Sequence, residues 1–145
     1  MQWKYLIIAG LSMCGTAMYS FASVESDAVK ARTQAMSEIS DNMRLLGSML
    51  KGQTIFDLDI AKLAIQNIAN LAAKAPVLFE IEAIDPHAEA KPEIWSNYED
   101  FVDKALALET VAIDASGSLL DQGGLKDVIN SLGKTCKSCH SLYRN

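Results

Sequence analysis

The sequence predicts an all-α protein, an antiparallel four-helix bundle with one longer loop between its second and third helices. Two observations lead to this prediction. In four separate stretches, apolar residues recur at steps of three, four and seven, the spacing that gives a helix one apolar face. No stretch alternates polar and apolar residues for long enough to form a sheet. Four amphipathic helices joined by short or medium links pack by default as a bundle.

The first two predicted helices span about residues 25–51 and 57–74. Gly52 follows the first helix as a common stop residue, and Pro76 is expected to end the second. The second helix has a broad apolar face, whereas the first carries a single apolar stripe. The stripe consists of Val29, Met36, Ile39, Met43, Leu46 and Leu50.

Segment 76–92 is the one long connection of the chain, with three prolines and several acidic residues. In a four-helix protein, such a connection is a crossover or a loop that covers something. The third helix is predicted to begin at Pro92 or Glu93, because a proline costs nothing in the first turn of a helix. It continues to about residue 116, and Gly117 closes it.

The fourth predicted helix ends near Tyr143 and begins near Leu119 or Leu125. Two adjacent glycines at 123 and 124 leave its start open. Its apolar positions fall largely on one face, and both cysteines of the segment belong to that face. They are Leu125, Val128, Ile129, Leu132, Cys136, Cys139 and Tyr143.

The N-terminus has the pattern of a secretory signal peptide. One positive charge at Lys4 precedes an uncharged apolar run over residues 5–21, and small residues Ser20 and Ala22 precede the expected cut. Cleavage after Ala22 is expected to leave residues 23–145 as one domain in the periplasm, with no membrane attachment. The alternative is that the apolar run is retained as a membrane anchor. Cys14 leaves with the leader, and Met13 before it argues against a lipid-modified cysteine.

The charge balance excludes some classes of partner. The formal net charge is −5, and loss of Lys4 with the leader makes it −6. An acidic chain is a poor ligand for nucleic acid or for an anionic membrane. It would suit a basic docking partner, although an acidic surface is more often simply solvated. No Ser/His/Asp set or phosphate-binding loop is present, so the chain is not expected to be an enzyme.

Cys136, Cys139 and His140 form a C-x-x-C-H motif. Two thiols three residues apart lie on the same side of a helical turn, where they are able to add to the two vinyl groups of one haem. The imidazole that follows reaches the iron as an axial ligand. In an exported helical chain, this motif predicts covalent attachment of one haem c.

The alternatives for this pair are a disulfide, a redox pair or half of a zinc site. A zinc site needs about four ligands, but the only other histidine is His87, which stands among acids and is expected to be a solvated surface residue. A thioredoxin-like pair needs a strand–helix fold, which the sequence does not predict. A plain disulfide remains the main alternative to haem.

Three segments resemble the cytochrome c′ family. They are the C-terminal run 136–144 with the haem motif, the run 27–36 in the first helix, and the run 91–96 at the start of the third. The resemblance covers essentially the whole mature chain. It implies a left-handed bundle that holds one haem c and usually forms a homodimer, with His140 as the axial ligand of the iron.

The resemblance also implies roles for individual residues. Arg144 matches the basic residue beside the proximal haem face. Arg32, with Thr33 beside it, matches a first-helix arginine near a haem propionate, and a guanidinium fits a carboxylate well. Met36 matches the position facing the open side of the iron, although a methionine on a helical stripe often only fills the core.

Several other residues receive a structural interpretation. The family often places an aromatic residue near the proximal haem face, and Phe79 is the candidate here, in a register that departs from the family pattern. Met43 and Met49 are assigned to packing. Trp95, Tyr98 and Phe101 are expected to form core or the walls of the haem pocket.

Two functions follow from the resemblance and differ in one bond. The first is binding of nitric oxide and carbon monoxide at a pentacoordinate, high-spin iron. The second is electron transfer with a redox partner protein, with Met36 as the sixth iron ligand. A helical interaction module with a disulfide and no haem is a third reading, which the motif disfavours.

Overall fold

The computed structural model describes residues 16–85 and 88–145, and these form five α-helices and one 3-10 turn. The four long helices are α1 (Thr16–Leu50), α2 (Leu58–Leu78), α4 (Tyr98–Ser118) and α5 (Leu125–Tyr143). The short helix α3 (Glu93–Ser96) precedes α4, and the 3-10 turn (Gln122–Gly124) precedes α5. This confirms the predicted all-α four-helix bundle. Within the described residues, none of the helices is long and apolar enough to cross a membrane.

Helix α1 begins well before the predicted start near residue 25. The stretch from Thr16 to Ser23 contains neither glycine nor proline, so no helix-breaking residue stops α1 from including the predicted cleavage position. The remainder of the leader, with Cys14, lies outside the described residues, as does His87. Gly52 has φ +69°, the left-handed conformation of a helix stop, as predicted from the sequence.

Pro76 does not end α2, contrary to the sequence-based expectation, because the helix continues to Leu78. Proline removes only one helical donor, and so close to the helix end the loss is small. Nearby carbonyls find other partners: Phe79 N–H donates to the Ala75 carbonyl at 3.0 Å, and Tyr98 Oη donates to the Pro76 carbonyl. These contacts hold the last turn in place.

The third predicted helix is broken at Asn97 into α3 and α4. Asn97 leaves the helical region with φ −130° and ψ 44°, and its N–H donates to the Glu93 carbonyl at 3.1 Å. Its own carbonyl accepts from Phe101 N–H at 3.1 Å and so starts α4. Asparagine favours such breaks because its side chain competes for backbone partners, and here its amide also reaches Glu93.

Two apolar clusters fill the bundle. The main cluster is formed mostly by small and aliphatic residues of α1, α2, α4 and α5. Its largest fully buried members are Leu46, Met49, Ile65, Ile68, Leu119, Leu125 and Leu132. The second cluster consists of Phe79, Ile94, Phe101 and Tyr143. Met36 packs against both clusters, so it marks the boundary between the solid core and the end of the bundle that holds the site.

Candidate cofactor site

A cavity of ≈ 810 Å³ lies between the helices α1, α4 and α5 and the end of α2, and the loop that precedes α3 also borders it. A volume of this size is typical of sites for cofactors. All four residues of the second apolar cluster line it, and the loop contributes Asp85, Ala88, Glu89 and Ala90, as expected for a covering loop. Every predicted site residue also lines it: Arg32, Thr33, Met36, Phe79, Cys136, Cys139, His140 and Arg144.

The two cysteines lie on the inner side of α5, half-buried and not joined by a disulfide. Burial raises the pKa of the Cys136 thiol and raises that of Cys139 to about 11. Both groups are therefore neutral thiols near pH 7, unlike the activated thiolates of redox pairs. Their position, one helical turn apart on a cavity wall, suits attachment to a flat group inside the cavity.

His140 stands at the rim of the cavity, exposed on one side. Desolvation by the cavity wall and, next, the Arg144 charge lower its pKa. The neutral imidazole that results is the form that binds a metal ion. Among the described residues, no cluster of three or more His, Cys, Asp or Glu side chains is arranged to hold a metal ion by itself.

Arg32 is the most unusual side chain of the site, because it is charged and only 2% exposed. It donates to the Ala83 carbonyl, but its Nε and Nη1 have no hydrogen-bond partner among the described residues. The guanidinium carbon lies 5.3 Å from the ring centre of Phe79 and 5.2 Å from that of Trp95. Burial lowers its pKa, which the Asp85 carboxylate opposes. Arg32 stays protonated, so its unpaired donors fit an acidic group of a ligand in the cavity.

Of the three aromatic residues expected in the core or in the walls of the haem pocket, Phe101 lines the cavity, whereas Trp95 and Tyr98 pack against the second apolar cluster. Trp95 Nε1 donates to the Phe79 carbonyl at 2.8 Å, which ties the Trp95 ring to the backbone of Phe79. The ring centres of Phe79 and Phe101 are 4.9 Å apart. The contacts of Arg32 with the Phe79 and Trp95 rings, together with its bond to the Ala83 carbonyl, restrict the guanidinium before any ligand binds.

The methionines divide between cavity and core. Met36 on α1 is half-buried and lines the cavity. Met49 is 1% exposed and belongs to the main cluster, as expected for a packing residue. Met43 packs against the main cluster but also lines the cavity, so its assignment to packing was incomplete.

Sequence reasoning missed a network around Tyr143, which was assigned only to the apolar stripe of the fourth helix. Tyr143 is 5% exposed, and its Oη donates to Asp100 Oδ2 at 2.5 Å. Desolvation and this bond raise the pKa of Tyr143 to about 12, and the same bond lowers the pKa of Asp100. Lys104, which also lines the cavity, donates to Asp100 at 3.1 Å. No local spacing signals such a pair, because its members are 43 residues apart.

Comparisons with known proteins agree with this geometry. A family model described as Cytochrome C' matches residues 27–144. A cytochrome c-556 from Agrobacterium tumefaciens (strain apple 185) is 36% identical over 115 residues, which are 79% of this chain and 91% of the relative. The structure of cytochrome c′ from Rhodopseudomonas palustris superposes with a TM-score of 0.76 at 29% identity, covering 82% of this chain and 96% of the other. A nitric oxide complex of a mutant cytochrome c prime from Alcaligenes xylosoxidans superposes with a TM-score of 0.70 at 27% identity. The superposition covers 83% of this chain and 96% of the other.

Proposed function

The chain belongs to the cytochrome c′ family and is a haem c protein of the electron-transfer or gas-binding kind, and from this premise we propose that it is an exported monohaem cytochrome that binds nitric oxide and carbon monoxide at a pentacoordinate, high-spin iron. One observation carries the proposal: a single cavity is lined by Cys136, Cys139, His140, Arg32 and Met36. The haem supplies the redox and ligand-binding chemistry, and the protein supplies attachment, orientation and access.

We assign the attachment of haem to α5. The Cys136 and Cys139 thiols would form the two thioether bonds, and His140 would be a ligand of the iron. Arg32 holds a propionate through its two unpaired donors. Two buried guanidinium donors without hydrogen-bond partners support this fit, because leaving them unsatisfied would be costly.

The α1 wall controls access to the iron. Met36 would cover the open side of the iron, since its side chain is held on α1 by packing against both apolar clusters. A neutral diatomic gas is able to enter beside an apolar side chain, whereas an anion would lose its hydration there. The nitric oxide complex of the Alcaligenes relative supports gas binding as the function.

The alternative is an electron carrier in which Met36 coordinates the iron. A Met/His pair raises the reduction potential of a haem and suits electron transfer to a redox partner protein. Met36 lines the same cavity as His140, a position that is compatible with both functions. We propose no enzymatic activity for either form.

Replacing Met36 by alanine distinguishes the two functions. If Met36 only covers the iron, the resting ferric spectrum is high-spin in both proteins. Met36→Ala then speeds carbon monoxide binding to the ferrous protein about tenfold or more, which corresponds to a barrier lowered by about 1.4 kcal/mol or more. Optical spectra and stopped-flow mixing measure both properties. Met43→Ala is the matched control, because Met43 also lines the cavity, and it is expected to leave the spin state unchanged. A low-spin spectrum that becomes high-spin only in Met36→Ala would establish the electron carrier instead.

We also propose that the mature protein is a homodimer formed through α1 and α2. Exposed apolar residues on or beside these helices support this proposal: Leu50, Ile55, Ile60 and Leu63. Two-fold dimers are the commonest homo-oligomers, and they bury the same surface on both subunits.

The test of the dimer uses two residues of equal exposure. Leu63 on α2 and Ile113 on α4 are both 56% exposed. Leu63→Glu is expected to yield the monomer mass in light scattering at micromolar concentration, because a charge would be buried at the interface. Ile113→Glu is expected to leave the dimer intact. A monomer mass for the unaltered protein would contradict the proposal.

A further inference from the structure

The C-terminal end of the haem-binding helix is tied to the loop before α3. Arg144 and Ala90 form an isolated antiparallel bridge. Lys91 N–H donates to the Tyr143 carbonyl at 3.0 Å, and Asn145 N–H donates to the Glu89 carbonyl at 2.8 Å. These bonds join the segment that follows His140 to a part of the chain more than fifty residues earlier.

A side-chain contact completes the connection. The Nε and Nη2 groups of Arg144 both donate to Oε2 of Glu89. Arg144 closes α5, since its N–H donates to the His140 carbonyl at 3.1 Å. Glu89, His140 and Arg144 all line the cavity. The carboxylate of Glu89 therefore fixes the direction of the guanidinium at the rim where the proposed axial ligand stands.

We propose that Glu89 is a positioning residue that holds the Arg144 charge beside the proximal side of the haem, so that the loop helps to set the reduction potential. This inference rests on the proposed haem attachment through His140. The pair is about half exposed on both sides, and such pairs contribute little to folding. The Glu89 carboxylate instead determines where the Arg144 guanidinium lies, because an arginine without its partner turns to solvent and gains rotamer freedom.

The test is a double-variant comparison of reduction potentials in the holoprotein. Arg144→Gln removes a positive charge near the iron and is expected to lower the potential. In the Glu89→Gln background, Arg144→Gln is expected to lower the potential by less than about a third of the shift that it causes in the unaltered protein. The reason is that the Arg144 guanidinium has already left the site in Glu89→Gln. A second measurement is exchange of the Arg144 Nε–H with solvent by NMR, which is expected to be protected in the unaltered protein and fast in Glu89→Gln.

Glu93 is the matched control, since it is an exposed acid of α3 that does not line this cavity. In the Glu93→Gln background, Arg144→Gln is expected to have its full effect on the potential. An undiminished effect of Arg144→Gln in the Glu89→Gln background would overturn the inference, since Arg144 would then act without Glu89. The shifts in potential are expected whether the iron has five ligands or six. A protein that fails to bind gas would therefore contradict the proposed function without affecting the test of Glu89.

Discussion

Replacing both Cys136 and Cys139 by serine is expected to reduce covalent haem from one per chain to none. Serine cannot form the thioether bonds, and the neighbouring His140 alone holds haem only reversibly. Ser138→Ala is the matched control, because Ser138 lies between the cysteines on the exposed side of the same turn. It is expected to keep one covalent haem.

Intact mass after acid–acetone extraction measures this result. The unaltered protein is expected to show a chain that begins at Ser23 and carries one haem, which tests export at the same time. A mature mass with a disulfide and no haem would contradict the covalent attachment of haem to Cys136 and Cys139. A mass that retains the first 22 residues would contradict only the predicted cleavage.

The double replacement is also expected to disrupt packing. A cavity of ≈ 810 Å³ is left without its occupant, and unfilled apolar cavities destabilise a fold. Native domains have only about 5–15 kcal/mol of total stability. The cavity opens at a polar rim, and water entry reduces the cost. We still expect loss of near-UV circular dichroism with retention of helix in the far-UV, the signs of a bundle without fixed packing.

Arg32→Met is expected to destabilise the holoprotein by about 3–5 kcal/mol, because a haem propionate would be left without its buried partner. Arg32→Lys is expected to lose less, since an ammonium keeps the charge but not the fork of donors. Denaturant unfolding followed by haem absorbance measures the change in the free energy of unfolding. If Arg32→Met were as stable as the unaltered protein, the guanidinium would not hold a haem propionate.

Arg44 provides the control for charge removal on the same helix. Its side chain is 73% exposed and, within the described part of the chain, forms an ion pair with Asp41, three residues away. Arg44→Met is expected to change the free energy of unfolding by no more than about 0.5 kcal/mol, as is usual for surface substitutions. The contrast between the two arginines isolates the effect of burial from the loss of one positive charge.

Local conformation shows where sequence reasoning reaches its limit. Apolar periodicity predicted the long helices, because burial of one helix face dominates their energetics. The continuation of the helix past Pro76 and the break at Asn97 were not predicted, and at both positions contacts across the fold add to the local preference. Tyr98 satisfies the Pro76 carbonyl from α4, and Tyr143 Oη lies 3.5 Å from the Asn97 carbonyl. Local preference is a weak prior beside such contacts.

The sequence by itself determined the chemistry of attachment and the helices that carry it. Cys136, Cys139 and His140 are adjacent in the chain, and helical geometry places them together wherever the helix lies. The tertiary structure alone decided what surrounds them. Arg32 reaches Ala83 across 51 positions, and Arg144 reaches Glu89 across 55. Such partners meet only when helices pack and a loop folds back, because local periodicity carries no information on which distant groups share a cavity.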